Sequence, residues 1–163
     1  MAYASYFVQL LDEMVEKKEP DEELFRLLLA VLRQLKENTS TDVVARYFEL
    51  HLLRILGYNP LLGSCAVCGK EIEKAGFVLK FSASSGGVVC SRCAIGLSDF
   101  VNVSGGVCST LHHLQGVDIM KLSRLKVSGA LNKELKSTMD YYLGNPTGKR
   151  LKSQDFLEKV IAP

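Results

Sequence analysis

The chain is 163 residues long, 47% hydrophobic and 23% charged, a composition that suits one buried core and excludes a disordered polypeptide. Its longest apolar run, residues 27–32, is bracketed by Arg26 and Arg33 and falls well short of the roughly 20 residues a membrane span needs. The opening six residues have neither the basic start nor the apolar stretch of a secretory leader, so a cytoplasmic location and no membrane partner are expected. The net charge of +2 conceals an asymmetry: residues 1–60 carry seven Lys/Arg against ten Asp/Glu, residues 101–163 nine against five.

In the first sixty residues the periodicity predicts three helices. Tyr6, Phe7, Leu10, Leu11, Met14 and Val15 recur at intervals of three and four, up to an end near Lys17 and Lys18, where positive charge suits a helix C-terminus, and Pro20 closes the gap. Asp21 is placed to cap a second helix with Glu22 and Glu23 in its first turn and an apolar face of Leu24, Phe25, Leu28, Val31, Leu32 and Leu35, ending by Asn38. Thr39, Ser40 and Thr41 offer capping hydroxyls to a third helix that is apolar on most sides and is therefore expected to sit centrally, with Gly57 and Asn59-Pro60 ending it. From Leu61 to about Leu97 the texture changes to Gly, Ser and Cys; extended runs at Phe77–Phe81 and Val88-Val89 around Ser82–Gly87 predict a β-hairpin. Helical patterning then resumes, with Ser104, Ser128 and Ser153 as caps for Val107–Leu114, Ala130–Leu143 and Gln154–Val160.

Five cysteines in a reducing compartment argue against disulfides, and an odd count cannot pair completely. Cys65-Ala66-Val67-Cys68 and Cys90-Ser91-Arg92-Cys93 are two Cys-x-x-Cys pairs 21 residues apart, and a two-residue gap lets both sulfurs of a pair meet one tetrahedral ion. Gly69, directly after Cys68, suits a tight knuckle. The expected site is one zinc on Cys65, Cys68, Cys90 and Cys93, structural because four thiolates close the coordination sphere. A redox dithiol would show one pair opening a helix after a strand, and iron would use the same ligands, but nothing implies an electron-transfer partner. Cys108 falls on a helical stretch and is expected to be buried as a small apolar side chain. His51 is expected to be a partly buried, hydrogen-bonded histidine, and His112-His113 point in different directions on a helix. With no nucleophile–base order, phosphate-binding glycine loop or metalloprotease pattern, no enzyme and no small-molecule substrate are expected.

Arg46–Pro60, leading into Cys65-Ala66-Val67-Cys68-Gly69-Lys70, closely resembles the RecO family of recombination mediators. Phe81–Cys90 resembles the family's segment before its second cysteine pair, Leu151–Leu157 its closing signature, and Tyr3–Phe7 its first C-terminal helix. The resemblance covers nearly the whole chain in the right order. It implies an α-helical bundle domain, 1–62 and 97–163, carrying an inserted four-cysteine zinc ribbon with a small β-hairpin, 63–96. The family's N-terminal OB fold, of roughly eighty residues and the architecture that tracks single strands, is not expected in this sequence. The family's link into its closing signature is often shorter than Gly144–Arg150 here.

By resemblance the function expected is that of a DNA repair mediator fragment. It would bind single- and double-stranded DNA, RecR and the acidic C-terminal tail of single-stranded DNA-binding protein, and aid strand annealing and RecA loading. The rival is a structural zinc-ribbon adaptor without a DNA role. Charge clustering nominates Lys121, Arg124, Lys126, Lys133 and Lys136, with Lys149, Arg150 and Lys152 as a second group, for phosphate contacts, although a solvated helix face is an equal alternative. The family contact for the tail peptide carries over onto Arg46, Phe48 and Leu52, with Arg54 able to reach the rim. On the residues alone, Phe48 and Leu52 could instead be core and Arg46 the partner of Glu49 or Asp42.

Overall fold

Three helices occupy the first third of the chain in the computed structural model, which describes residues 2–15, 21–37, 39–72, 78–148 and 151–161. They are α1 (Ala2–Met14), α2 (Glu22–Gln34) and α3 (Thr41–Ile55). Lys17, Lys18, Pro20 and Asn38 lie outside the described residues. The Asp21 cap is present, its carboxylate accepting the Leu24 amide at 3.0 Å. Ser40 takes the cap position of α3 but its hydroxyl makes no capping bond. α3 is the central element, with every residue from Val43 to Leu53 buried. Its end is a Schellman turn: Tyr58 N–H donates to Leu53 O, and Gly57 N–H to Arg54 O. Phe25 departs from expectation and is 65% exposed. The stripe Leu24–Leu28–Val31–Leu35 already faces the core at spacings of four, three and four; Phe25 and Leu29 form the next row round the helix, turned outward.

The hairpin is β1 (Val78–Ser82) and β2 (Gly87–Val89), paired antiparallel with Ser82 opposite Gly87. Phe77 lies outside the described residues. A third strand escaped the sequence pattern: β3 (Val101–Ser104) pairs antiparallel with the other side of β1 and makes the order β2-β1-β3. Four residues are too short for alternation to register against helical neighbours. The outer edge of β2 is covered by residues 61–66, where Val88 N–H donates to Leu61 O at 2.8 Å and Ala66 N–H to Val88 O at 2.8 Å.

The remaining helices are α4 (Gly105–Gly116), α5 (Gly129–Thr147) and α6 (Lys152–Ile161), with a 3-10 turn at Ile119–Arg124. Ser104 and Ser128 cap α4 and α5 as expected. Ser153 does not cap α6: it is the second helical residue, and Glu13 of α1 accepts both the Lys152 and Ser153 amides, at 2.8 and 2.7 Å. A carboxylate brought by tertiary packing has taken the role assigned to a local hydroxyl. Residues 144–147 of the link continue α5, and Gly148 ends it in a left-handed conformation.

α3 packs against α1, α2, α4 and α5, and α6 lies on α1. Leu79, Phe81 and Val88 of the hairpin belong to this same core, with Phe81 against Tyr142 of α5 at 5.2 Å between ring centres. Cys65, Val89 and Ala94 form a second, smaller cluster. The helical unit and the cysteine segment thus share a sheet.

Candidate functional site

Two tight turns carry the four cysteines. In the first, Cys65 N–H donates to Lys70 O and Gly69 N–H to Cys65 O, each at 2.8 Å. In the second, Ala94 N–H donates to Cys90 O at 3.0 Å. The turns bring the Sγ atoms of Cys65, Cys68, Cys90 and Cys93 within 4.8 Å of one another, with Cys68 and Cys90 at 3.9 Å. A tetrahedral ion at about 2.3 Å from each sulfur requires sulfurs about 3.8 Å apart, so the four residues fit a metal ion. Burial works to raise the Cys65 thiol, but amide hydrogen bonds from Cys90, Cys68 and Val67 bring it down to about 6. Cys93 is pushed up to about 12, first by its hydrogen bond with Cys90 and then by that with Cys68. Four thiols this close lose their protons in sequence, and a cation is what allows all four to be thiolates together. Cys108 is fully buried in the main core, away from this group.

A second site is built around Arg46. Its side chain is only 5% exposed, and Nη2 donates to Glu49 Oε1 at 2.6 Å; Glu49 has no exposure at all. The Tyr6 hydroxyl donates to the same oxygen at 2.6 Å. Among the described residues, Arg46 Nε and Nη1, Glu49 Oε2 and Asn132 Oδ1 are buried without a partner. Arg46 lines a cavity of about 320 Å³ with Asp42, Gly129, Asn132, Lys133 and Lys136, between the N-terminal halves of α3 and α5. Burial pushes the Glu49 carboxyl up to about 7, against the pull of Arg46 and the Tyr6 hydrogen bond. Burial works to lower Arg46, but Glu49 and Tyr6 outweigh it and leave the guanidinium more basic than usual.

Residues 1–155 match the family described as Recombination protein O C terminal. The chain belongs to the RecO family. Curated relatives named DNA repair protein RecO include that of Desulforamulus reducens, 33% identical over 157 residues, which cover 96% of this chain and 60% of the relative. That of Symbiobacterium thermophilum is 32% identical over 161 residues (98% and 64%), and that of Bacillus pumilus 31% over 159 (98% and 60%). The chain therefore spans less than two thirds of the length of these RecO relatives.

The residues nominated for a tail peptide in this RecO-family chain do not share one surface. Phe48 and Leu52 are fully buried, Phe48 against Phe7 at 4.5 Å between ring centres, so neither can offer an apolar groove. Arg54 is exposed and pairs with Glu23 of α2 at 3.1 Å. Among the described residues, four helices pack on α3 and Val43–Leu53 is buried throughout, which leaves that stretch no open groove. Arg46 lines a cavity, and it does so in company the sequence did not suggest: Asn132, Lys133 and Lys136, some ninety residues away.

Of the basic residues nominated for DNA, Lys121, Arg124, Lys126, Lys133 and Lys152 are exposed, and Lys149 and Arg150 lie outside the described residues. Lys136 is half-buried and bridges Asp140 and Glu158. His51 stacks on Tyr47 at 3.9 Å between ring centres and meets Leu114 O at 3.1 Å, as expected of a partly buried histidine; burial lowers its pKa. Among the described residues, no helix is long and apolar enough to cross a membrane.

Proposed function

We propose that this chain is the partner-docking part of a cytoplasmic recombination mediator, nucleoid-associated during repair. It binds other repair proteins, adds to DNA binding, strand annealing and RecA loading, and catalyses no reaction of its own. Cys65, Cys68, Cys90 and Cys93 hold one structural zinc, which folds the turns of residues 63–96 into a module on the helical unit.

The buried guanidinium of Arg46, paired with Glu49 through Nη2 and left without partners at Nε and Nη1, carries this reading. Leaving buried donors unpaired costs about 1–3 kcal/mol each, so a fold that keeps two on one side chain beside a cavity is arranged for a ligand. The chemistry fits the carboxylate end of an acidic peptide such as the tail of single-stranded DNA-binding protein. Arg46 Nη1 donates to the terminal carboxylate, Asn132 Oδ1 accepts the last peptide N–H, and Lys133 meets acidic residues upstream. RecR is the second protein partner in this reading. Single- and double-stranded DNA meet the exposed Lys121, Arg124, Lys126, Lys133 and Lys152, with Lys149 and Arg150 completing the late basic group. The ion pairs of Lys136 favour the rival adaptor without a DNA role, since a lysine already shared by two carboxylates offers phosphate less.

A labelled acidic peptide ending in a free apolar residue tests the docking, compared with the same peptide amidated at its C-terminus. Amidation, and Arg46→Ala in protein confirmed folded by circular dichroism, should each lose about ten- to hundredfold in affinity, equivalent to about 1.5–3 kcal/mol. An amidated peptide that binds as well as the free acid rules the site out. DNA affinity across a salt series should follow a log–log slope of about 0.9 per duplex phosphate contacted, or about 0.7 for single strands. An unchanged slope after replacing Lys121, Arg124, Lys126, Lys133 and Lys136 with Ala favours the adaptor.

A further inference from the structure

We propose that Glu49 is the proton-accepting counter-ion of the Arg46 cavity, so that a carboxylate ligand enters this site together with one proton from solvent. The inference rests on reading the cavity as a carboxylate site, and it adds a regulation that no part of that reading requires.

The geometry makes Arg46 a shared resource. Its Nη2 is engaged by Glu49 Oε1, Nε and Nη1 are buried without partners, and the side chain lines the cavity. An arriving carboxylate that takes Nη1 places a second anion on the same guanidinium, in a setting where Glu49 is fully buried and water cannot screen the repulsion. Oε1 of Glu49 already accepts from both Arg46 and Tyr6, whereas Oε2 has no partner among the described residues. The proton therefore goes to Oε2: carboxylate plus ligand carboxylate plus one solvent proton gives a neutral Glu49 acid beside the bound anion, with no other bond changed. Arg46 then keeps one net positive charge for the ligand alone.

Among the described residues, the charged and titratable groups that act most strongly on Glu49 come from three helices around it. Arg46 is on its own helix, Tyr6 on α1, and Lys136 and Asp140 on α5. Arg46 stays cationic, and burial raises Tyr6 well above its ordinary range, so neither changes charge near neutrality. Glu49 itself, raised by burial to about 7, does. His51, two residues further along α3, faces Leu114 O and is lowered, so it is neutral across the upper part of the range.

The experiment uses the full, metal-loaded chain and a histidine-free acidic peptide with a free C-terminus, titrated between pH 6 and 8.5 at constant ionic strength. Affinity should fall as pH rises, approaching tenfold per pH unit above about 7, as for uptake of one proton on binding. Calorimetry in two buffers of different ionisation enthalpy should register up to one proton taken up. Glu49→Gln, which is uncharged and nearly isosteric, should bind at least as tightly with a flat profile and no uptake. Because that variant could lose its fold, proton uptake by the unmodified chain stands as a separate measurement. Binding that depends on Arg46 and on the free carboxylate, yet is flat in pH with no proton uptake, overturns the coupling and leaves the cavity reading intact. Absence of binding at every pH overturns the cavity reading itself.

Discussion

At the scale of single residues, the buried pair Arg46–Glu49 shows that an ion pair need not be there for stability. Three of its polar atoms lack partners, and a carboxylate held at about 7 is one that the fold disfavours as an anion. The consequence for pH has a definite sign. Glu49 binds its proton more tightly folded than unfolded, so its contribution to stability is fully present below about 4.5 and is lost as pH rises to about 7. Its size is about 3 kcal/mol, from about 1.4 kcal/mol per pKa unit. Asp99 works in the opposite direction: its hydrogen bond from Tyr141 lowers its pKa despite burial, so its contribution is lost as pH falls. Denaturant unfolding of the unmodified chain and of Glu49→Gln at pH 5, 6, 7 and 8 isolates the first term. The difference between the two should shift by about 3 kcal/mol between pH 5 and 8. A constant difference would mean that Glu49 is not raised.

Elements owe their positions to a few backbone contacts that side-chain patterns do not announce. Gly87 opens β2 at a φ of 152°, and a Cβ there would collide with the backbone of Leu61, the strand segment that covers the outer edge of β2. Gly87→Ala must push residues 61–66 off the sheet, and these lead directly into the first cysteine turn. The substitution should cost about 3 kcal/mol in thermal or chemical unfolding, as expected for combined backbone strain and overpacking. It should also weaken metal retention. A variant as stable as the parent would show that the Leu61 contact is dispensable. The same end of the hairpin is tied to α5: Asn145 donates to Ala83 O at 3.0 Å, and the Tyr141 hydroxyl meets both Ala83 N–H and Asp99.

For the whole molecule, these ties decide what metal loss does. The cysteine turns pack on a small cluster of Cys65, Val89 and Ala94, whereas Leu79, Phe81 and Val88 are anchored in the helical core. Purified protein should carry about one zinc, lost in Cys65→Ser, Cys68→Ser, Cys90→Ser or Cys93→Ser and kept in Cys108→Ser. After chelation, hydrogen exchange should accelerate in residues 63–72 and 90–97, while α3 and the paired amides of β1 stay protected. Stoichiometric zinc in Cys90→Ser would remove the site, and loss of protection in α3 would show that the metal holds up the core as well.

Much of this was legible in the linear sequence, and what was legible shares a cause. Cys-x-x-Cys spacing, the Asp21, Ser104 and Ser128 caps, the hairpin and the central placement of α3 all depend on residues a few positions apart, where backbone geometry alone sets who meets whom. The RecO family resemblance was legible for the same reason, since it rests on contiguous runs. What the sequence left open needed partners from distant parts of the chain. Glu13 caps α6 from 139 residues away, and β3 earns its pairing only against β1. Phe48 and Leu52 look like a groove four residues apart and are core because four helices close over them. Arg46 acquires its meaning the same way: Glu49 is one helical turn along, but Tyr6, Asn132, Lys133 and Lys136 arrive from α1 and α5, and only their packing encloses a charge and leaves it half-satisfied beside a cavity.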